Sequence, residues 1–214
     1  RILRVHFSNV RAAAIGPDLS HRRTVVDSIL ASPFVEKAIE DQAKADRSSV
    51  PQAWRKARKF AFEIAADYSY AFVRVSALVL SWFWNRIYEG VELQHFREFQ
   101  KIAPDYTVIY VPCHRSHIDY LLVSYFVYHN GLVPPHVAAG INLNLPVVGR
   151  LVRMGGAFFL RRSFRAQKLY AAVFNEYLSR ILAKGTDIEY FIEGTRSRTG
   201  RLLAPKAGML NMTV

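Results

Sequence analysis

Cysteine and long apolar runs are both scarce in this sequence of 214 residues. Its single cysteine, Cys113, excludes an internal disulfide framework and favours a reducing compartment such as the cytoplasm. The uncharged, tryptophan-rich run from Val75 to Asn85 stops well short of the roughly 20 apolar residues that a membrane-spanning helix needs. We therefore expect no transmembrane helix.

Acidic residues are also few, since 17 Asp and Glu stand against 29 Lys and Arg. The resulting formal charge of +12 should attract polyanions, which include nucleic acid, an anionic lipid surface and phosphorylated substrates. The charge alone fits all three classes of ligand. Apolar residues make up 51% of the sequence, which excludes a disordered chain and predicts a folded core.

Several common catalytic signatures are absent from the sequence. It contains no G-x-S-x-G elbow, no Walker A loop and no dinucleotide-binding G-x-G-x-x-G pattern, so serine-hydrolase, nucleotidase and dehydrogenase functions lose support. The chain begins at Arg1 without a methionine and stops at Val214. We expect it to be a fragment of a longer polypeptide.

Residues 1–100 read as a helical N-terminal region. Helical patterns cover Thr24 to Leu30, Val35 to Ala45 and a longer stretch from Pro51 onward. Membrane-surface association is one interpretation, based on aromatic and basic residues typical of a helix on an anionic bilayer. These residues are Trp82, Trp84 and Tyr88, with Arg55, Lys56, Arg58 and Lys59 before them. An ordinary core helix beside a solvated basic neighbour is the alternative.

Residues 101–214 alternate between short apolar strands and helices. Predicted strands are Thr107 to Val111, Val137 to Ala139, Ala157 to Leu160 and Ile188 to Ile192, and predicted helices are Ile118 to Tyr128, Val147 to Arg153 and Leu169 to Leu182. This order predicts an α/β catalytic domain with a mostly parallel sheet flanked by helices. Active sites of such sheets lie just beyond the carboxyl ends of the strands.

The first polar cluster follows the first strand and contains His114, Ser116, His117 and Asp119. A neutral imidazole can remove a proton from an attacking alcohol, and a carboxylate that orients it improves the base. Positions five apart point away from each other on one helix, so the pair requires His114 in a loop and Asp119 in the first helical turn.

The residues of this first cluster also allow three other interpretations. Asp119 could be only the acidic member of a capping box that begins at Ser116. His114, His117 and Asp119 could bind a metal ion, although no further ligand set follows them in the sequence. Cys113 could be a nucleophile. Adjacent side chains on an extended backbone point to opposite sides, however, so Cys113 would point away from His114.

The second and third polar clusters also follow predicted strands. Gly155 and Gly156 precede the strand that ends at Arg161 and Arg162, a pair that could clamp a phosphate. The third cluster follows the last strand and combines a glutamate, glycines, hydroxyl residues and three arginines, as expected for an anion pocket. Its members are Glu193, Gly194, Thr195, Arg196, Ser197, Arg198, Thr199, Gly200 and Arg201. Solvated surface charges are the alternative for both clusters.

Together the three clusters resemble the first three sequence blocks of the glycerolipid acyltransferase family. Members of that family share an H-x-x-x-x-D, a G-x-x-F-x-x-R and an E-G-x-R motif. The matching residues here are His114 with Asp119, Gly156 with Phe159 and Arg162, and Glu193 with Gly194 and Arg196.

The stretches that surround the motifs are similar to the bacterial membrane-bound glycerol-3-phosphate 1-acyltransferases within this family. They read HRSHIDYLLVSYFVYHNGLVPPHVAAGINLNLP, YFIEGTRSRTGRLLAPKAGML and, near the N-terminus, IGPDLSHRRTVVDSILASP. The likeness spans nearly the whole chain. We expect the family's fourth block in a part of the polypeptide that follows Val214.

The resemblance implies a reaction and a set of roles. An acyl group would pass from acyl carrier protein or acyl-coenzyme A to the sn-1 hydroxyl of sn-glycerol 3-phosphate, the first step of phospholipid synthesis. His114 would be the general base and Asp119 its orienting residue, with no metal, no cofactor and no covalent acyl-enzyme. The acceptor site would contain Gly156, Phe159, Arg162, Glu193, Gly194, Arg196 and Arg198. The protein would lie on the cytoplasmic face of the bacterial inner membrane as a peripheral or monotopic protein.

Two alternative functions stay open from the sequence. The same chemistry would serve another acceptor, such as lysophosphatidate or dihydroxyacetone phosphate. A basic module that binds membrane or nucleic acid without catalysis would explain the charge, but not the strand-end positions of His114, Asp119 and Glu193. We therefore expect no nucleic-acid partner.

Overall fold

A computed structural model describes residues 22–89, 93–163 and 167–213. The first part of the similar N-terminal stretch, residues 15–21, lies outside the described residues. Within them, the fold is a helical segment followed by a parallel sheet with helices on its faces. The expected α/β fold is therefore confirmed.

Among the described residues, four helices precede the sheet: α1 (Arg22–Leu30), α2 (Pro33–Ala45), α3 (Val50–Ile64) and α4 (Tyr70–Ile87). Proline at the first helical position begins α2, where its missing N–H costs nothing. The α3 start is fixed by the Gln52 side chain, whose oxygen accepts the Ser49 N–H at 3.1 Å. Ser69 begins α4 by accepting the Phe72 N–H at 3.4 Å.

The sheet contains four described strands: β1 (Ile109–Tyr110), β2 (His136–Gly140), β3 (Phe158–Leu160) and β4 (Ile188–Glu189). They lie in the order β1-β4-β2-β3, and every neighbouring pair is parallel. The last strand therefore lies in the middle, flanked by β1 and β2. Because the strands are parallel, the loops after β1, β3 and β4 leave the same edge of the sheet.

In the part of the chain that the structure describes, five helices accompany the strands: α5 (Phe96–Ile102), α6 (Asp119–His129), α7 (Val148–Met154), α8 (Lys168–Ala183) and α9 (Leu210–Thr213). Short 3₁₀ turns occupy Ala103–Asp105 and Ile141–Leu143. The predicted apolar stripe of α8 is buried as expected. Its buried residues are Leu169, Tyr170, Ala172, Val173, Phe174, Tyr177, Leu178 and Ile181.

Strand β4 is shorter than the sequence predicts. The apolar run from Ile188 to Ile192 led us to expect five strand residues, but only Ile188 and Glu189 form the ladder. The chain then turns, since the Gly194 N–H bonds to the Phe191 carbonyl at 2.9 Å. Strand β1 is likewise shorter than the predicted Thr107 to Val111. Beside these strands, hydrogen bonds within the loops take the place of strand pairing.

One hydrophobic core joins the N-terminal helices to the sheet. Buried side chains of α1, α2 and α3 pack with those of α8 and with Phe158 and Ile188 from the strands. The buried Arg153 of α7 adds polar links, because its guanidinium donates to the Ala65 and Glu63 carbonyls at 2.7 Å each. Side chains from both sides of the predicted boundary near residue 100 therefore pack in the same core.

The tryptophan-rich run lies in α4, whereas the basic run lies in α3. Trp82 is exposed, but Trp84 is 4% exposed and packs against Tyr88 and Tyr125. The expectation that both tryptophans face a membrane is therefore wrong for Trp84, which an aromatic cluster buries. In the part of the chain that the structure describes, no helix is long and apolar enough to cross a membrane.

Candidate active site

His114 and Asp119 meet at the carboxyl end of β1. His114 lies in the loop after the strand, and Asp119 is the first residue of α6, which is the arrangement that the five-residue spacing requires. The imidazole Nδ1 lies 3.4 Å from Asp119 Oδ2. This distance exceeds a tight charge-assisted hydrogen bond, as is common in catalytic sites without bound substrate.

Asp119 also organises the turn that connects the strand to α6. Its Oδ2 accepts the backbone N–H groups of Arg115 and Ser116, each at 2.7 Å. Ser116 is not the N-cap that we expected: the cap is Ile118, whose N–H donates to Ser116 Oγ at 3.2 Å. The turn is tighter than a capping box, and it brings the carboxylate back toward His114.

His114 is held by contacts to its ring and to its backbone. The Phe191 ring stacks on the imidazole with centroids 4.0 Å apart. The backbone N–H donates to Glu193 Oε1 at 3.1 Å, and the carbonyl accepts the Ser197 N–H at 2.8 Å. With Nδ1 directed at Asp119, Nε2 is the nitrogen that can accept a substrate proton. The side chain is 17% exposed, so a substrate can reach it.

Glu193 joins the loop after β1 to the loop after β4. It is 4% exposed, and its Oε1 and Oε2 accept the backbone N–H groups of His114 and Leu203. The carboxylate is therefore engaged within the protein, where it ties the His114 loop to the loop after β4. Its role in holding an acceptor, which the resemblance implies, stays a prediction.

Gly194 follows Glu193 in a conformation that requires glycine. Its φ is +66°, and a Cβ there would lie 3.0 Å from Lys206 Cδ. The Lys206 N–H bonds to the Ile192 carbonyl at 2.8 Å, so the lysine chain lies across the glycine. Gly194 thereby lets two parts of the loop after β4 lie against each other.

The arginines of the second and third clusters differ in whether their guanidinium groups are paired within the described structure. Arg161 forms a two-point ion pair with Glu63, at 2.6 and 2.8 Å, so its guanidinium is already engaged within the protein. Arg162, Arg196 and Arg198 are exposed, and no hydrogen-bond or ion-pair partner for them occurs among the described residues. These three can meet an anionic ligand.

Gly156 and Phe159 lie in the packed interior. Gly156 has φ +99°, and a Cβ there would lie 3.3 Å from the His136 and Tyr68 rings. Phe159 is fully buried, with the Arg153 guanidinium 4.3 Å above its ring. Of the second motif, the structure therefore exposes only Arg162, and the other two residues support β3.

Metal binding at the first cluster was the other chemical possibility. The His114 and His117 rings are 6.5 Å apart at their centroids and nearly perpendicular. Among residues 22–89, 93–163 and 167–213, no three His, Cys, Asp or Glu side chains converge so as to hold a metal ion. The close pair of His114 and Asp119 is instead suited to moving a proton.

A family model supplies the decisive comparison. The acyltransferase family model matches residues 94–214, the segment that carries all three motifs. The chain belongs to the acyltransferase family. The match begins just before α5 and covers the α/β part of the described structure.

Curated relatives of this acyltransferase carry a more specific name. Over all 214 residues the chain is 57% identical to a glycerol-3-phosphate acyltransferase of Pseudomonas fluorescens, and 56% identical to proteins of that name from Pseudomonas putida and Pseudomonas syringae. The chain spans 26% of the length of each of these relatives. The resemblance found in the motifs is therefore confirmed.

Sequence reasoning assigned no role to several residues of the candidate site. Phe191, Ser197 and Lys206 contact the His114 loop or the glycine beside it. Ser197 was named as a member of the third cluster, but its backbone contact with His114 was not predicted. Nothing in the sequence placed Phe191 on the imidazole or Lys206 over Gly194, because both contacts depend on how the loops fold together.

Proposed function

We propose that this chain is the catalytic part of an enzyme that transfers a fatty acyl group from acyl carrier protein or coenzyme A to the sn-1 hydroxyl of sn-glycerol 3-phosphate. The product would be 1-acyl-glycerol 3-phosphate. The observation that carries the proposal is the His114–Asp119 pair at the edge of the sheet where the loops with Arg162, Arg196 and Arg198 also begin. The printed name of the relatives supports the acceptor.

The chemistry follows from the imidazole geometry. Nε2 of His114 accepts the proton of the acceptor hydroxyl while that oxygen attacks the thioester carbonyl. Asp119 stabilises the imidazolium that forms. The tetrahedral intermediate then expels the thiolate, which takes the proton from the imidazolium and leaves as a thiol. The C–S bond breaks, the C–O bond forms, and His114 returns to its neutral state without an acyl-enzyme.

The exposed arginines provide the binding side of the proposal. A phosphate monoester carries about two negative charges near pH 7 and accepts paired hydrogen bonds from guanidinium groups. Arg162 follows β3, and Arg196 and Arg198 follow β4, so groups from two loops can approach one phosphate. The acceptor hydroxyl would then be presented to His114 by phosphate binding rather than by contacts to its carbon chain.

We further propose that α4 rests on the cytoplasmic surface of an anionic inner membrane. Its exposed apolar side chains recur at helical spacing and form a stripe that includes Leu78 at 68% and Trp82 at 70% exposure. The exposed members of this α4 stripe are Val75, Leu78, Val79, Trp82, Phe83 and Ile87. The net charge of +12 suits an anionic lipid, and fatty acyl donors and products lie at such surfaces.

The acceptor is tested by competition among phosphorylated hydroxyl compounds. The full-length protein, in detergent and lipid, is given a palmitoyl thioester with radiolabelled glycerol 3-phosphate, and unlabelled lysophosphatidate or dihydroxyacetone phosphate is added. The proposal expects labelled 1-acyl product to form, and expects glycerol 3-phosphate to be acylated faster than either competitor at equal concentration. Preferred acylation of a competitor would show that this competitor is the acceptor. Binding to vesicles or nucleic acid without any acyl transfer would indicate a binding module.

A further inference from the structure

Lys206 carries a positive charge that the proposed mechanism does not use. It lies in the loop between β4 and α9, and its side chain is exposed. No hydrogen-bond or ion-pair partner for its ammonium group occurs among the described residues. An ammonium group only donates hydrogen bonds, and it acts as a compact point charge toward a phosphate oxygen. Lys206 is therefore open to an anionic ligand.

Two hydrogen bonds fold the segment that contains Lys206 back over the residues that follow β4. The Leu203 N–H donates to Glu193 Oε2 at 3.0 Å, and the Lys206 N–H donates to the Ile192 carbonyl at 2.8 Å. At position 206 only the backbone takes part in this bond. The main chain there is therefore held against residues 192–194 by a bond that a substitution of the side chain does not remove.

The end of the Lys206 side chain lies against the α-carbon of Gly194. A Cβ atom at Gly194 would lie 3.0 Å from Lys206 Cδ, 3.6 Å from Cε and 3.4 Å from Nζ. The lysine therefore fills the space that any other residue at position 194 would use for its own side chain. A side chain that rests on the loop has lost part of its rotamer freedom before a ligand arrives, which lowers the entropy cost of binding.

The glycine under Lys206 belongs to a stretch that is bonded to His114 on both sides. Glu193, which precedes Gly194, accepts the His114 N–H at 3.1 Å, and the Ser197 N–H donates to the His114 carbonyl at 2.8 Å. The exposed Arg196 lies within the same stretch. The contact between Lys206 and Gly194 thus places an ammonium group in the part of the loop that carries Arg196 and adjoins the proposed base.

The charges of this stretch leave Lys206 available. Both oxygens of Glu193 accept backbone N–H groups, and neither forms an ion pair with Lys206 in the part of the chain that the structure describes. A phosphate group offers several oxygens: a guanidinium binds two of them in parallel, and an ammonium adds a point charge at another. Lys206 therefore complements the arginines, because it suits an oxygen that a paired guanidinium contact leaves free.

We propose that Lys206 is a further phosphate-binding residue of the acyl-transfer site, whose ammonium group, held against Gly194, contacts a phosphate of a bound substrate. This inference rests on the proposed function, since it assigns a ligand group within that site. The acceptor carries a phosphate, and so does the pantetheine arm of a coenzyme A or carrier-protein donor. Lys206 moves no proton in the reaction, so its loss should weaken substrate binding and leave turnover at saturation nearly unchanged.

The first test measures acyl-transfer kinetics of the full-length protein with Lys206→Met. Methionine keeps an unbranched stem that can cover Gly194 but carries no charge. We expect the KM for glycerol 3-phosphate to rise about tenfold or more, as the loss of a charged hydrogen bond requires, with little change in kcat. A rise in the KM for the thioester instead would assign the phosphate to the donor. Lys206→Arg should recover part of the loss. Lys37→Met, at an exposed position of α2, is the matched control and should leave both KM values unchanged.

A second measurement reads phosphate binding without any reaction. Inorganic phosphate, glycerol 3-phosphate and coenzyme A are titrated separately into full-length wild type and Lys206→Met, and the affinities are measured by calorimetry. We expect the variant to lose about tenfold or more in affinity for inorganic phosphate and glycerol 3-phosphate, or for coenzyme A if the donor phosphate is the ligand. The melting temperatures of the two proteins should be similar, because the backbone bond of Lys206 remains.

The outcomes separate this inference from the proposed function. Unchanged KM values and affinities in a folded Lys206→Met protein would overturn the binding role and leave the lysine as a cover for Gly194. A fall in kcat alone would also overturn it. If Lys206→Met does not fold, Lys206→Gln is measured in the same way. If wild type acylates a different phosphorylated acceptor, or transfers no acyl group at all, the proposed reaction fails, whereas a Lys206-dependent affinity for phosphate would still support the residue's role.

Discussion

At the residue scale, Asp119 carries two tasks with one oxygen. Its Oδ2 ties the Arg115 and Ser116 amides into a turn and also faces the His114 imidazole at 3.4 Å. The capping and catalytic interpretations of this residue are therefore compatible. Four intervening residues suffice to bring the start of α6 back to the strand end, which gives the H-x-x-x-x-D spacing a physical reason.

Substitution of Asp119 by asparagine tests the orienting role. Asparagine keeps an oxygen for the backbone amides but has no charge to stabilise an imidazolium, so acyl transfer should fall on the order of 100-fold to 10,000-fold while the protein still folds. The measurement is the turnover rate at saturating acceptor. Asp105→Asn is the matched control, since Asp105 is exposed in a 3₁₀ turn and should be replaceable without loss. Equal rates for both variants would contradict the role.

Some residue positions followed from the sequence and others did not. His114 and Asp119 could be placed together because a strand ends just before them and a helix begins at Asp119. The isolated glutamate in the apolar run IEYFI was visible, yet its burial in the middle of the sheet needed the strand order, which puts β4 between β1 and β2. The pairing of Arg161 with Glu63 links residues from different halves of the chain, and no local pattern indicates it.

At the element scale, helix α4 has one face that packs inside the protein and one apolar face that is exposed. Trp84 faces inward to Tyr125 of α6, whereas Leu78 and Trp82 face outward. Helical periodicity around the tryptophans could have separated the two faces. The composition of the run alone could not do so, because both faces are apolar.

Replacement of Leu78 and Trp82 by aspartate should weaken binding to anionic vesicles. Burial of one large apolar side chain is worth about 1.5–3 kcal/mol, so each loss should reduce the vesicle partition constant by about tenfold or more. Vesicle co-sedimentation of the full-length variants measures this. Phe34→Asp is the control, since Phe34 is 55% exposed on α2, which packs against α3 and α8. An unchanged partition constant would show that the exposed face of α4 does not bind the membrane.

The order of the elements was predictable, but their ends were not. Each predicted strand has a counterpart, and the periodic stripe fixed α8 closely. Strand β4 ends early because Ile192 and Glu193 use their polar groups in loop contacts with Lys206, His114 and Leu203. Such contacts come from residues distant in sequence, so apolar runs overstate strand length wherever a site interrupts the ladder.

At the scale of the whole molecule, the helical segment and the sheet share one core. Arg153 supports this junction by donating to the Ala65 and Glu63 carbonyls, and burial lowers the pKa of its guanidinium to about 10. The separation into a helical region and a catalytic domain near residue 100 stays a prediction. The shared packing indicates that the helices brace the edge of the sheet at β3.

Replacement of Arg153 by methionine should destabilise the molecule. Methionine fills similar space but leaves two carbonyls without their donor, and a buried unsatisfied group costs about 1–3 kcal/mol. The melting temperature of the full-length protein should drop. Arg150→Met on the same helix is the matched control, because Arg150 is exposed. A melting temperature unchanged by Arg153→Met would show that the junction does not depend on this residue.

The central claim is that His114 is the base of an acyl transfer to glycerol 3-phosphate. Its most direct test is the rate of transfer from a palmitoyl thioester to radiolabelled glycerol 3-phosphate by the full-length protein and by His114→Ala, with glycerol 3-phosphate binding measured in parallel. A general base contributes about 100-fold to 10,000-fold. The account predicts a loss of that order in a variant that still folds and still binds the acceptor. Retained transfer by His114→Ala would contradict it.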